Sequence, residues 1–462
     1  MKNLFDTSQL CCLLIIILAF NTFPQVNEVN TFMNDLIYSG KISGASIAVQ
    51  KNNEWIFKKN YGYSDLGLKK PVVDTTQFGI MSITKIFTAF AVIQLADQNK
   101  LNLDDPVINY LPDLPEQFKD VKIYQLLNHS SGIPDYVKVK DYFKSADKTQ
   151  TPMQVLSTIL NQPLEFIPGE KNKYSNSGYF ILGLLIEKVS GKSLEDYFNK
   201  NIFNPLQMDN TCLETTASNL TNKAKGYFLK DGELEKVKNL NPTQYWAAGG
   251  IVSTINDLIK WNDALFSGGI LPLKQIQKMM QPEKLLNGIY SEYGIGFELM
   301  NAPGLKIVGN NGVGIGYNAA DLMFPDDSLI IIVLTNTSNG NSTMIAKSIR
   351  DMLCKETETT ENVEDKIQND ELDSLVLNVF TNVYNNNLSK DNFQDDEAYN
   401  KFIDSQLNFI KSCGKPLSVI NKGEKLNPQS IVRRYEVKSA SGITNWIIIF
   451  SKEKKILLTN HM

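Results

Sequence analysis

The chain contains the run Gly79-Ile80-Met81-Ser82-Ile83-Thr84-Lys85-Ile86-Phe87-Thr88-Ala89-Phe90-Ala91-Val92-Ile93-Gln94-Leu95, which predicts a helix starting near Ser82. Apolar residues fall on every face of this helix, and a helix that is apolar all round is a buried one. A buried lysine is costly unless it is paired or has lost its proton. Because Ser82 and Lys85 stand at positions i and i+3, their side chains lie on one face within hydrogen-bond reach. The run therefore predicts a nucleophile beside a candidate base.

Burial gives this pair a chemical function. It lowers the pKa of a lysine towards neutrality, and the first-turn amides of the helix can receive a developing oxyanion. The alternative is that Ser82 caps the helix and Lys85 reaches the surface, although the third position after a capping serine favours Glu or Gln. The spacing itself is common, since serine precedes lysine by three residues in polar surroundings at Ser145, Ser412 and Ser451.

Composition and charge restrict the function classes. The chain has 462 residues, which predicts a main domain with an appendage, and its net charge is -4. No Lys/Arg stripe is present, so we expect a small-molecule or peptide-like substrate and no nucleic-acid partner. Cys212, Cys354 and Cys413 lack C-x-x-C spacing, and the chain has only two histidines. We therefore expect no metal and no cofactor; the sequence leaves the oligomeric state undetermined.

The N-terminus is typical of an export signal. Residues 1–24 contain Lys2 and then the apolar run Leu10 to Phe20, whose length suits a signal peptide and is short for a membrane span. We expect an exported protein, periplasmic or extracellular, with no membrane span after removal of the signal. No A-x-A-like site precedes Gln25, so an uncleaved signal anchor is the alternative.

A second candidate group follows at Tyr174-Ser175-Asn176, on a loop before a helix predicted over Tyr179 to Val189. A phenol held against lysines can have its pKa depressed enough to act as a base, and a carboxamide can orient a lysine and a substrate amide together. The alternative is a loop tyrosine whose hydroxyl only satisfies itself. His129 ends an apolar helical run just before a glycine, so we expect it to bind the last carbonyls of that helix rather than to act as a base.

Strand patterns frame these motifs. A hairpin is predicted from Ala45 to Lys58, a strand is expected to start at Tyr293 to Phe297, and Leu329 to Leu334 has the apolar run of a central strand. Between them, Val308 to Tyr317 carries four glycines that allow its backbone to approach a ligand closely.

The composition changes at residues 355–371, a polar stretch rich in Glu, Thr, Asn and Asp that we interpret as a linker. Residues 372–462 then form a second unit. It has helical periodicity at Leu372 to Tyr384 and Tyr399 to Ile410, followed by strand patterns at Ile431 to Lys438, Trp446 to Phe450 and Ile456 to Leu458. We predict a small α+β accessory domain.

Three motifs in this order, Ser82-Ile83-Thr84-Lys85, Tyr174-Ser175-Asn176 and the glycine-rich strand at Asn310, give the chain a resemblance to a known superfamily. It resembles the serine β-lactamase and penicillin-binding-protein superfamily, and within it the class C β-lactamase-like branch. The resemblance covers roughly residues 30 to 350. It implies an α+β fold for residues 25–354: an antiparallel sheet flanked by helices, with a helical insertion domain and a site in the groove between them.

The resemblance also implies roles for individual residues. Ser82 would form an acyl-enzyme, with Lys85 and Tyr174 sharing the base role and Asn176 holding Lys85 and the substrate amide. The backbone N–H groups of Ser82 and Val313 would form the oxyanion hole. The implied activity is hydrolysis of an ester or a peptide-like amide, as in esterases and D-peptidases or carboxypeptidases.

One motif departs from the superfamily pattern. Where a lysine or histidine, any residue and a glycine are expected, the chain has Asn310-Asn311-Gly312, so a substrate-binding cation is missing. We therefore expect weak or absent β-lactamase activity, unless a lysine or arginine from another loop replaces the cation. The same departure motivates the alternative of a non-catalytic penicillin-binding-like protein, and the second unit motivates that of a wall-associated binding protein.

Overall fold

The computed structural model describes residues 24–461, with the exception of 141, 143–145, 217, 219, 239, 303–304, 355–370, 413–414, 427–429 and 440–441. One compact unit comprises residues up to Met300 and residues 306–355, and the other comprises 301–305 and 356–462. The predicted signal segment, except Pro24, lies outside the described residues, as do Cys413 and the predicted linker except Glu371. The predicted domain boundaries stay predictions.

The helices and strands are numbered here in chain order. The α-helices are α1 Pro24–Tyr38, α2 Thr84–Asp97, α3 Ile123–Leu127, α4 Pro152–Leu156, α5 Asn176–Ser190, α6 Leu194–Phe198, α7 Trp246–Gly249, α8 Ile255–Ser267, α9 Leu273–Met279, α10 Ser342–Leu353, α11 Glu371–Tyr384 and α12 Asp396–Ser412. The strands are β1 Gly44–Lys51, β2 Glu54–Asp65, β3 Lys70–Pro71, β4 Phe78–Gly79, β5 Cys212–Leu213, β6 Tyr227–Lys230, β7 Glu233–Lys236, β8 Ile251–Ser253, β9 Glu298–Ala302, β10 Leu305–Gly314, β11 Tyr317–Phe324, β12 Leu329–Thr335, β13 Pro416–Leu426, β14 Ser430–Ser439, β15 Gly442–Ser451 and β16 Ile456–His461.

The first unit is built on a seven-stranded sheet in the order β3-β2-β1-β12-β11-β10-β9. Strand β12 pairs antiparallel with β1, Ile47 opposite Val333, and with β11, Ala320 opposite the same valine. Every residue of β12 is buried, so both faces of the sheet are covered. The predicted hairpin and central strand are confirmed, and so is the α+β class with an antiparallel sheet and flanking helices.

Helix α2 lies at the centre of the helical layer. It packs against α5, α6 and α7, and nearly all of its residues are buried. Phe87 stacks on Trp261 of α8, with ring centroids 4.1 Å apart. Because α8 also packs against β1 and β12, the helical layer and the sheet share one apolar core.

The strand expected to start at Tyr293 starts later, at Glu298. Gly296 has a φ of 81°, a left-handed conformation that interrupts an extended strand. A Cβ on Gly296 would lie 2.5 Å from the Cβ of Ala89, so the segment before β9 is a loop pressed against α2. Its glycines serve close packing there.

The second unit is a four-stranded antiparallel sheet, β13-β14-β15-β16, with helices α11 and α12. Phe380 of α11 packs edge to face on Trp446 of β15, with ring centroids 4.7 Å apart. Strand β13 was not predicted. It is an edge strand that begins at Pro416, contains two register shifts and exposes Leu417 and Ile420, so its sequence lacks a buried alternation.

Two further features bear on the predictions from sequence. Among the described residues, no helix is long and apolar enough to cross a membrane. Cys212 and Cys354 are both free thiols.

A buried carboxylate lies in the sheet of the first unit. Asp321 of β11 is 1% exposed, and Asn262 Nδ2 of α8 donates to its two carboxylate oxygens at 3.2 and 3.0 Å. Burial raises the pKa of Asp321 to about 7. Among the described residues, Asn262 Oδ1 has no hydrogen-bond partner. The site therefore favours a neutral, proton-donating group at position 321.

We expect Asp321→Asn to stabilise the protein more at pH 8 than at pH 5. The raised pKa means that the folded state binds this proton more tightly than the unfolded state, so stability is lost as pH rises from about 4 to about 7. A tenfold difference in proton affinity between the two states corresponds to about 1.4 kcal/mol, and the neutral variant avoids this loss. Thermal unfolding at both pH values, with exposed Asp326→Asn as control, measures the effect; an equal gain at both would contradict it.

Candidate active site

The candidate nucleophile lies in a strained turn. Met81–Ile83 form a 3-10 turn that leads directly into α2, and Met81 has a φ of 48°. A non-glycine residue in this region costs about 1–3 kcal/mol, and such residues cluster at active sites. The conformation is held because Met81 is buried. The backbone just before Ser82 is thus fixed by its surroundings.

Lys85 is 2% exposed and is surrounded by hydrogen-bond acceptors. Its Nζ lies 3.1 Å from Ser82 Oγ, 2.9 Å from Asn176 Oδ1 and 2.7 Å from the Ala248 carbonyl oxygen. Burial lowers the pKa of Lys85 to about 7, and the carboxylate of Asp135 raises it in part. A neutral amine is therefore accessible near physiological pH.

The three partners of the neutral amine determine where its lone pair points. A neutral amine has two hydrogens and one lone pair, whereas a carboxamide oxygen and a backbone carbonyl oxygen only accept hydrogen bonds. Asn176 and Ala248 therefore take the two hydrogens. The lone pair is left for Ser82, whose hydroxyl is the remaining neighbour able to donate. Lys85 can thus accept the proton of the nucleophile.

Tyr174 is the second neighbour of the nucleophile, with its hydroxyl oxygen 2.7 Å from Ser82 Oγ. Burial raises the pKa of Tyr174, although its hydrogen bond with Ser82 lowers it in part. The expectation that lysines depress the pKa of Tyr174 is therefore wrong in direction. Lys85 Nζ lies over the face of the tyrosine ring, 4.8 Å from the ring centroid. Tyr174 is a protonated phenol near neutral pH, and Lys85 is the better placed base.

Asn176 is the first residue of α5 and connects Lys85 to a buried acid. Its Nδ2 donates to Asp135 Oδ2 at 3.1 Å, and its backbone N–H donates to Asp135 Oδ1 at 3.3 Å. This bond turns the Asn176 carbonyl oxygen towards Lys85. Asn176 thus accepts a hydrogen bond from the amine, and its predicted contact with a substrate amide stays a prediction.

His129 supports the tyrosine. Its Nδ1 accepts a hydrogen bond from the Ser175 amide at 3.2 Å, and its ring lies 4.6 Å from the ring of Tyr174. Burial and then Lys85 lower the pKa of His129 well below its ordinary value, so it is neutral. The predicted structural role agrees with these contacts, but its partner is the loop of Tyr174 rather than the last carbonyls of a helix.

The third motif lies on β10. Asn310 Nδ2 donates to the Gly296 carbonyl oxygen at 2.7 Å, and its Oδ1 accepts from the Glu298 amide at 3.2 Å. A Cβ on Gly312 would lie 2.2 Å from the Ile80 carbonyl oxygen, so only glycine lets β10 approach the turn of Ser82. Val313 follows at the wall of the same cavity. Its predicted oxyanion role stays a prediction.

The site opens into a cavity of about 500 Å³. Its wall includes five of the predicted site residues besides Val313, namely Ser82, Lys85, Tyr174, Asn176 and Asn310, while Gly312 packs behind it. Of the described wall residues, Lys85 is the sole lysine or arginine and Glu298 the sole carboxylate. A replacement cation for Asn310 is therefore not present among them. The described residues also contain no cluster of potential metal ligands.

This sheet, helical layer and linked Ser-Lys-Tyr group are those of the serine β-lactamase and penicillin-binding-protein superfamily, so the resemblance seen in the sequence is confirmed. The Beta-lactamase family model matches residues 26–353, and the chain belongs to that family. Penicillin-binding protein 4* of Bacillus subtilis is 28% identical over 326 residues, which cover 67% of this chain and 71% of that protein.

Solved structures similar to the chain include the following two. One is D-amino acid amidase from Ochrobactrum anthropi complexed with L-phenylalanine amide, with a TM-score of 0.61 and 26% identity, covering 71% of this chain and 96% of that one. The other is the octameric penicillin-binding protein homologue from Pyrococcus abyssi. It has a TM-score of 0.63 and 23% identity, covers 93% of this chain and 94% of that one, and shows the fold.

Three groups of the site were not predicted. Asp135 is buried and holds Asn176, but nothing in its sequence context marks it as a site residue. The Ala248 carbonyl that binds Lys85 is a backbone group, so no side chain in the sequence marks it. Glu298 was hidden because it begins β9, whose start was placed five residues too early. Only the buried context, which sequence spacing does not give, distinguishes these groups from surface ones.

We expect the rate of Ser82 acylation to rise about tenfold per pH unit below pH 7 and to level off above it, because only neutral Lys85 accepts the proton. Asp135→Asn should shift the midpoint downward, since the Asp135 carboxylate raises the pKa of Lys85. Tyr174→Phe should slow acylation without moving the midpoint. The measurement is the labelling rate with a fluorophosphonate from pH 5 to 9.

Exposed Asp113→Asn is the matched control for Asp135→Asn, because it removes the same charge far from the amine. A midpoint that stays in place or rises in Asp135→Asn would contradict the assignment of Lys85 as the base.

Proposed function

We propose that the protein is an exported serine hydrolase that cleaves an ester or a peptide-like amide through an acyl-enzyme on Ser82. The observation that carries the proposal is the environment of Lys85, whose two pure acceptors leave the amine lone pair for the Ser82 hydroxyl. A merely structural lysine would be paired with a carboxylate. Export is proposed from the apolar run Leu10 to Phe20.

The reaction would proceed in two steps. Ser82 Oγ attacks the substrate carbonyl carbon while its proton passes to Lys85 Nζ, and the leaving group departs with a proton returned through Lys85 or the Tyr174 hydroxyl. Water then attacks the acyl-enzyme with the same base, and the acid product leaves. The backbone N–H groups of Ser82 and Val313 would hold the oxyanion in both steps.

The comparisons support this reaction class. D-amino acid amidase shares the fold over nearly its whole length, and the Beta-lactamase family model covers the region with the Ser82, Tyr174 and Asn310 motifs. The names of both proteins, an amidase and a penicillin-binding protein, suggest a substrate whose reacting carbonyl is bonded to nitrogen, as in an amide. Function in this fold is determined by the cavity wall, so the wall of this protein decides the substrate.

The wall disfavours a substrate carboxylate. Asn310 is neutral, and both ends of its amide are bound to the backbone at Gly296 and Glu298. A neutral donor to a carboxylate contributes roughly half as much as a charge-assisted one, a difference of about 1 kcal/mol or more. We therefore propose weak or absent β-lactamase activity.

Ser82→Ala should abolish labelling by a fluorophosphonate and lower ester hydrolysis by several orders of magnitude, while the unfolding temperature changes little. The control is Ser145→Ala, which changes a serine with the same spacing to a lysine in polar surroundings. Labelled Ser82 without any hydrolysed product would instead favour the non-catalytic binding protein, and unlabelled folded protein would refute the hydrolase.

A neutral nitrophenyl ester should be hydrolysed far more efficiently than a chromogenic cephalosporin, because the described wall residues offer its carboxylate no lysine or arginine besides Lys85, the proposed base. Asn310→Lys should raise the cephalosporin rate relative to the ester rate by roughly fivefold or more. Exposed Asn109→Lys adds the same charge elsewhere and should leave this ratio unchanged. Efficient cephalosporin turnover by the unmodified protein would contradict the proposal.

A further inference from the structure

A carboxylate occupies the cavity wall next to the third motif. Glu298, the first residue of β9, is half-buried and lines the same cavity as Ser82. Its Oε2 accepts a hydrogen bond from Asn311 Nδ2 at 2.9 Å, and its own amide donates to Asn310. Both asparagines of Asn310-Asn311-Gly312 therefore hold this glutamate in place. The position that offers a cation in the superfamily pattern supports an anion here.

This charge has no counter-ion at contact distance. Among the described residues, no lysine or arginine forms an ion pair with Glu298, and the ammonium of Lys347 affects its pKa only through a longer-range interaction. Burial raises the pKa of Glu298 first, and the carboxylate of Glu292 raises it further. A partly desolvated carboxylate without a counter-ion is stabilised when a cationic ligand arrives.

Aromatic side chains line the same cavity as the carboxylate. Tyr293 pairs with Glu298 across an isolated antiparallel bridge, and its ring packs edge to face on His129 at 4.7 Å. The rings of Tyr293 and Tyr174 are 6.4 Å apart; burial raises the pKa of both hydroxyls, and the charge of Glu298 adds to this in each case. A carboxylate next to aromatic faces is the combination that binds ammonium groups. Glu298 lines the same cavity as Tyr174, the tyrosine that contacts the Ser82 hydroxyl.

We propose that Glu298 binds an ammonium group of the substrate, so that the preferred substrates are amino-acid-derived esters or amides with a free amine near the scissile carbonyl. This inference rests on the proposed hydrolase function and names its substrate class. Asn311 positions the carboxylate, and Tyr293 adds an aromatic face for the cation. A cavity of about 500 Å³ has room for one aromatic amino acid and its leaving group.

The test compares phenylalanine methyl ester, in both enantiomers, with methyl 3-phenylpropanoate, which differs by the missing amine. At pH 6.5 the α-amine is protonated. We expect kcat/KM to be about tenfold or more higher for at least one enantiomer of the amino ester than for the amine-free ester. N-acetylphenylalanine methyl ester should lose this advantage, because acetylation removes the positive charge and keeps the rest of the molecule.

Glu298→Gln retains the shape of the side chain and the acceptor for Asn311 but removes the charge. The ratio of kcat/KM for the amino ester to kcat/KM for the amine-free ester should therefore fall towards one. Glu292→Gln is the matched control, because it removes an exposed neighbouring charge outside the cavity wall and should keep the ratio. An unchanged ratio in Glu298→Gln, or equal rates for amino and amine-free esters in the unmodified protein, would overturn the proposal.

A second measurement needs no variant. Inhibition of neutral ester hydrolysis by 2-phenylethylammonium should be about tenfold stronger than by 2-phenylethanol, and equal inhibition would also overturn the proposal. Different results would refute the hydrolase function and the role of Glu298. If a fluorophosphonate does not label Ser82, the hydrolase itself fails, whereas labelling with no preference for the amine refutes only the role of Glu298.

Discussion

The structure of the site depends on one buried amine. Lys85 lies in the middle of an apolar core, where a full charge without compensation would cost several kcal/mol. Three hydrogen-bonding partners from three different segments surround it: Ser82 from the turn, Asn176 from α5 and the Ala248 carbonyl from α7. These segments are far apart in the chain. Satisfying the amine therefore brings together the parts from which the site is made.

A second constraint joins this helical layer to the sheet. A Cβ on Gly312 would lie 2.2 Å from the Ile80 carbonyl oxygen, and a Cβ on Gly314 would lie 2.3 Å from Met81 Sδ, so β10 lies directly against the strained turn. The two backbone N–H groups proposed to hold the oxyanion, those of Ser82 and Val313, thus belong to different layers. Their relative position is set by backbone contact rather than by flexible side chains, which is how an active site keeps its geometry.

Features with a strong local pattern could be predicted from the sequence. The apolar helix with Ser82 and Lys85 and the strand at Leu329 to Leu334 are determined by burial on all sides, which leaves a direct trace in residue type. The edge strand at Pro416–Leu426 and the loop before Glu298 leave no such trace. There, exposure and one left-handed glycine decide the conformation. Periodicity alone does not show either feature.

In the site, too, the sequence indicates which residues are present, whereas their acid and base strengths depend on the surroundings. Sequence spacing predicted which residues surround the nucleophile, but the base strengths depend on burial and on where each charge points. Tyr174 was expected to be acidified by lysines, yet the amine contacts its ring face while burial favours the neutral phenol. Asp135, invisible as a site residue in the sequence, contributes to the pKa of Lys85 through space.

The same low polarity that makes Lys85 a base also affects specificity. A charge interaction strengthens as the effective dielectric constant of its surroundings falls, so a half-buried carboxylate in the wall acts more strongly on a bound substrate than a surface carboxylate would. Glu298 lies in such a wall, held by Asn311, while Asn310 is tied to the backbone and carries no charge. Replacing one cation by asparagine therefore does more than remove an attraction. It leaves Glu298 as the only carboxylate among the described residues of the cavity wall, and a half-buried carboxylate at that place favours the cationic substrate proposed above.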